Sequence, residues 1–83
     1  MKLQDSVIAI TGGGQGLGRA MAEYLASKGA KLALIDLMPE KLAEAVAACE
    51  AAGVEARSYV CNVAKEEDVE KTFEAIVQDF GRL

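Results

Sequence analysis

At 83 residues the chain has room for a single domain, and 52% apolar with 27% charged residues excludes an intrinsically disordered segment. Thirteen acidic against nine basic groups give a formal charge of −4, with 5% aromatics, so no general field exists for nucleic acid or anionic lipid. No apolar run nears the roughly 20 residues of a membrane span; His is absent, and Cys49 and Cys61 make neither a disulfide framework nor a zinc motif. The expectation is a cytoplasmic protein in a reducing compartment, with no metal site, no nucleic acid and no membrane as partner.

Val7-Ile8-Ala9-Ile10 is a short, continuous apolar run that stops at Thr11-Gly12-Gly13-Gly14, which reads as a strand buried on both faces. From Leu17 the period becomes helical. Leu17, Ala20, Met21, Tyr24 and Leu25 form the expected buried stripe, and Gly29 the stop. Leu32-Ala33-Leu34-Ile35 is a second buried strand ending in Asp36. Pro39 suits the first turn of a second helix, with Leu42, Ala45, Val46 and Cys49 on its apolar face and Gly53 after it. Ala56 to Cys61 alternates more and carries Arg57, Ser58 and Tyr59, as an outer strand does. Lys65-Glu66-Glu67-Asp68 opens a third helix whose expected buried stripe is Val69, Phe73, Ile76, Val77 and Phe80. The order β-α-β-α-β-α demands crossover connections, hence a parallel sheet with right-handed units and an α/β fold.

The first strand runs into Thr11-Gly12-Gly13-Gly14-Gln15-Gly16-Leu17-Gly18 and a helix follows at once. Unpaired N–H groups and the positive dipole end of that helix suit an anionic diphosphate, and glycines let it approach closely. A Walker A loop is excluded because Gly18-Arg19-Ala20 stands where Gly-Lys-Ser/Thr is needed. GxGxxG is excluded because position 19 is Arg19. What remains is Thr-Gly-x-x-x-Gly-x-Gly.

That spacing, with Asp36 after the second strand and Asn62-Val63 after the third, resembles the short-chain dehydrogenase/reductase family, especially its 3-oxoacyl-[acyl-carrier-protein] reductase-like members. The resemblance covers the whole chain. It implies one NAD-binding Rossmann-type half-domain over 1–83, with strand order 3-2-1 and the first strand at an edge. It also implies hydride transfer between a ketone, small or carried on an acyl carrier, and a secondary alcohol, in a homo-oligomer. The implied cofactor contacts are Gly12, Gly14, Gln15, Gly16, Leu17, Asp36, Leu37, Asn62 and Val63, with Gly18 serving helix–strand packing.

Asp36 suits a ribose 2′,3′-diol and repels a 2′-phosphate, and neither Gln15 nor Leu37 brings a positive charge, so NAD is expected over NADP. Asn62 stands where the family usually has Asp. It keeps an acceptor for an adenine amino group, though a purely local turn role is an alternative.

No catalytic residue is expected here. The family's Asn, Ser and Tyr-x-x-x-Lys would lie beyond the third helix. Tyr24 and Lys28 have the four-residue step but fall on the first helix, where core packing is expected for Tyr24. The alternative reading is a truncated or engineered non-catalytic half-domain that binds nucleotide weakly, or only folds and self-associates.

Overall fold

A computed structural model describes residues 3–81. The elements run β1 (Val7–Thr11), α1 (Gly16–Ser27), β2 (Lys31–Asp36), α2 (Pro39–Ala51), β3 (Ala56–Val60) and α3 (Glu66–Phe80). The strands form one parallel sheet in the order β1-β2-β3, which is 3-2-1 counted from the other edge. Ile10 pairs with Leu34 and Thr11 with Ile35, while Ile35 pairs with Tyr59 and Asp36 with Val60. This register brings the carboxyl ends of all three strands to one rim of the sheet.

The central strand is the most apolar, and burial follows position. Leu32, Ala33, Leu34 and Ile35 of β2 are all buried. Their alternation feeds two cores. Leu32 and Leu34 face Ile10, Ala22, Ala26, Leu42, Ala45 and Cys49, so α1 and α2 cover that side. Ala33 and Ile35 face Cys61 and Ile76, with α3 on the other side. The third helix therefore crosses to the opposite face from the first two. Leu32, Leu34, Leu42, Cys49 and Ile76 are the largest fully enclosed side chains.

β1 departs from the expectation of burial on both faces. Only Ile10 is buried, at 8% exposure, while Val7, Ile8 and Ala9 are half-buried, because the strand stands at an edge. The α1 stripe departs further. Ala22 and Ala26 face the sheet, whereas Leu17 is 77%, Tyr24 61% and Met21 47% exposed. The small alanine face lets the helix approach the strands closely and turns the larger apolar face outward. Leu17, Met21 and Leu25 instead line an open groove of about 370 Å³ beside the β1 edge. Tyr24 is therefore not a core residue, and the Lys28 ammonium lies 5.6 Å from its ring centroid.

On α3, Ile76 and Thr72 are buried and Val69 and Phe80 pack against the core, but Phe73 and Val77 are 43% and 47% exposed. Ile76 takes the innermost position, with Thr72 beside it at 9%. Pro39 opens α2 as expected, and Gly81 closes α3 with its N–H donated to the Val77 carbonyl at 2.7 Å.

Candidate functional site: a glycine turn between strand and helix

The rim of strand ends carries three neighbouring features. β1 ends at Thr11 and the chain turns through Gly12–Gln15 into α1, whose first α-helical bond runs from the Arg19 N–H to the Gln15 carbonyl. Gly12 and Gly16 have φ of +67° and +58°, which L side chains rarely adopt, and among the described residues, chain neighbours and the helix's own backbone aside, no heavy atom lies within 4 Å of where either Cβ would stand. The open side of the turn is thus open at these two glycines. Gln15 gives no side-chain cap to α1, and no acid lies in its first turn. The free donors and dipole of that helix end fit a diphosphate.

Gly18 has the opposite surroundings. A Cβ there would overlap the Gly12 carbonyl oxygen and come 2.7 Å from its carbon. Only glycine lets α1 sit this close to the end of β1, which is the packing role expected of the third glycine. Gly14 is buried: its Cβ would meet Asp36 Oδ2 and Lys41 Cβ at 3.0 Å and the Leu42 nitrogen at 3.1 Å.

Asp36 ends β2 and is held from two sides. Oδ1 accepts the Leu37 N–H at 2.7 Å and the Met38 N–H at 3.4 Å, and Oδ2 accepts the Gly14 N–H at 3.2 Å. The carboxylate thus joins the glycine turn to the start of α2; Oδ2 keeps a lone pair for a further donor, and the long 3.4 Å Met38 contact leaves Oδ1 able to exchange it for another. A second contact spans the same gap, from Gln15 Nε2 to Met38 Sδ at 3.3 Å. Sequence reasoning passed over Met38 and Lys41. Their only signal was position, two and five residues beyond the acid.

Asn62 and Val63 follow β3, and the Cys61 N–H still reaches the Asp36 carbonyl at 3.0 Å. Asn62 Oδ1 accepts the Ala64 N–H at 3.0 Å, and Asp68 Oδ2 accepts the Asn62 N–H at 3.4 Å, so the local turn role is present. Its Nδ2 has no hydrogen-bond partner among the described residues. Leu37 and Val63 expose apolar side chains, at 58% and 59%. Gly12, Gly14, Gln15, Gly16, Leu17, Asp36, Leu37, Asn62 and Val63 therefore all lie at or beside one rim.

Cys49 and Cys61 are buried in the two cores, and burial pushes the Cys49 thiol above its usual range. Among the described residues no cluster of His, Cys, Asp or Glu could hold a metal ion, and no helix is long and apolar enough to cross a membrane.

A three-stranded parallel sheet with helices on both faces and a glycine turn at the end of its first strand is the mononucleotide-binding half of a Rossmann-type fold. Residues 6–83 match the family model described as short chain dehydrogenase. The chain belongs to the short-chain dehydrogenase family. It is 42% identical over 79 residues to a human 3-oxoacyl-[acyl-carrier-protein] reductase, covering 95% of this chain and 32% of that protein. Among solved structures, NAD+-bound xylitol dehydrogenase superposes with a TM-score of 0.96 at 43% identity, covering all of this chain and 32% of the other. The NADPH-dependent 3-quinuclidinone reductase of Rhodotorula rubra follows at 0.90 and 38%, covering 99% and 31%. The chain thus spans about a third of the length of these relatives.

Proposed function

We propose that these residues form the NAD-binding part of a short-chain dehydrogenase/reductase that interconverts a ketone and a secondary alcohol. One observation carries the reading: the Asp36 carboxylate, tied to Gly14 at 3.2 Å, stands beside the open glycine turn. The diphosphate would lie over Gly12, Gly16 and Leu17 at the start of α1. The adenosine ribose would donate its two hydroxyls to Asp36. The base would continue toward β3, its faces against Leu37 and Val63 and its edge near Asn62.

The strand order supports this path, since β2 separates the glycine turn from the β3 end. Similarity to an NAD+-bound and an NADPH-dependent relative supports a nicotinamide dinucleotide, and Asp36 favours NAD. A 2′-phosphate would bring a charge of about −2 against the carboxylate. Bound there, the dinucleotide supplies or accepts the hydride. The chain's own residues bind and orient it, and none is proposed as the acid or base. The substrate class is a small or acyl-carrier-linked carbonyl compound, and the protein is proposed to be a cytoplasmic homo-oligomer.

Calorimetric titration of the purified protein with NAD+ and NADP+, before and after Asp36→Ala, tests the reading. The parent should prefer NAD+, and the variant should lose at least about tenfold of its NAD+ affinity with the charged acceptor gone. Equal affinities for the two dinucleotides in parent and variant alike would sink the assignment.

A further inference from the structure

Gly14 needs to be glycine for reasons unlike those of its neighbours. Its φ lies outside the left-handed region, so backbone conformation does not demand glycine there. Space does. Three atoms stand 3.0–3.1 Å from the absent Cβ, and one of them is the Asp36 oxygen that accepts the Gly14 N–H. The other two, Lys41 Cβ and the Leu42 nitrogen, belong to α2, whose first turn is anchored by the Leu42 N–H donated to the Met38 carbonyl at 3.1 Å. The carboxylate, at the end of a rotatable side chain, can turn away, while relief from the two α2 atoms needs the turn and helix to part by a few tenths of an ångström.

We infer that Gly14 is a positioning residue for cofactor choice: its N–H and its missing side chain together aim the Asp36 carboxylate at the ribose. It is buried beneath the turn, unlike Gly12 and Gly16, which stand open. This inference rests on the NAD reading above and adds a determinant to it. Gly14→Ala displaces Asp36 Oδ2 by a few tenths of an ångström, lengthening its bond to the turn and turning the acceptor pair from the diol. Gly13→Ala is the structural control. Its Cβ would meet the Ile10 carbonyl at 3.1 Å and Leu34 at 3.2 Å, and Asp36 is not among its three nearest atoms.

The test measures Kd for NAD+ and for NADP+ in the parent, Gly14→Ala and Gly13→Ala, with Tm recorded for each. Gly14→Ala should weaken NAD+ by about tenfold, the scale of a misdirected charge-assisted hydrogen bond, and change NADP+ by no more than about twofold. Gly13→Ala should lower Tm and keep the parental ratio. A Gly14→Ala protein with lowered Tm and an unchanged NAD+/NADP+ ratio overturns the inference. A parent with no preference, insensitive to Asp36→Ala, overturns the NAD reading and this inference with it. Amide exchange gives a second measure that does not need Gly14→Ala to fold. The Gly14 N–H should exchange about tenfold faster in Asp36→Ala than in the parent, having lost its acceptor. Unchanged exchange overturns the inference.

Discussion

Gly18→Ala sets two effects of opposite sign against each other. Gly18 lies in the first turn of α1, and replacing glycine by alanine in a helix gains about 1 kcal/mol of propensity. The same methyl group would overlap the Gly12 carbonyl and come 2.7 Å from its carbon and 3.2 Å from Gly13 Cα. All three atoms are backbone, and none can swing aside. Overpacking typically costs 1–3 kcal/mol, and a backbone-on-backbone clash belongs at about 3. The clash therefore wins by about 2 kcal/mol. For 83 residues the total stability is on the order of 4–12 kcal/mol, so this is a large share of it. At about 4–8 °C per kcal/mol for a domain this size, Tm should fall by about 8–16 °C in a far-ultraviolet circular dichroism melt. NAD+ affinity should fall as well, because relieving the overlap displaces the turn. A Tm equal to or above that of the parent would refute the packing argument and leave only propensity.

Two further predictions concern side chains outside the proposed cofactor contacts. The Tyr59 phenol is held above its usual range by burial and by the hydrogen bond it donates to Asp79 Oδ2 at 2.8 Å. Below about pH 10 the phenol is neutral in both states and its full contribution is present. As pH rises past that value the unfolded tyrosine ionises first, so stability falls, and urea melts should show a smaller alkaline loss for Tyr59→Phe than for the parent. Cys49 is fully enclosed and Cys61 is 4% exposed, so neither thiol should react with an aromatic disulfide reagent in the native protein. Both should react on unfolding. Rapid native labelling would contradict the two-core arrangement.

The sheet and the acid at its rim could be read from residue order because each rests on a local rule. An unbroken run such as Leu32–Ile35 implies burial on both faces, and a glycine turn between strand and helix fixes where anions fit. The outward face of α1 was not legible. Two apolar sets share that helix, Ala22 with Ala26 and Leu17 with Met21 and Tyr24, and periodicity measures spacing without ranking size. Close packing chose the alanines. On α3 the same limit holds: five apolar positions satisfy the helical period, and only Ile76 of them is fully enclosed against Ala33 and Ile35, while Phe73 and Val77 turn outward.

Within the turn, the sequence distinguishes Gly18 from Gly12 and Gly16 by spacing alone. The crowding around Gly14 depends on where α2 begins, and no local pattern in the turn reports that. Asn62 shows the same limit. Its residue type permits an adenine contact or a turn, and the structure has the turn bond to Ala64 in place.

The proposed path takes NAD across the rim, from the glycine turn to the end of β3. The most direct measurement is a titration of the 15N-labelled protein with NAD+, followed by amide shifts. Changes should concentrate at residues 12–17, at Asp36 and Leu37, and at Asn62 and Val63, all weakened in Asp36→Ala. Changes confined to the apolar groove of Leu17, Met21 and Leu25 beside β1, with Asp36 and Asn62 silent, would contradict it.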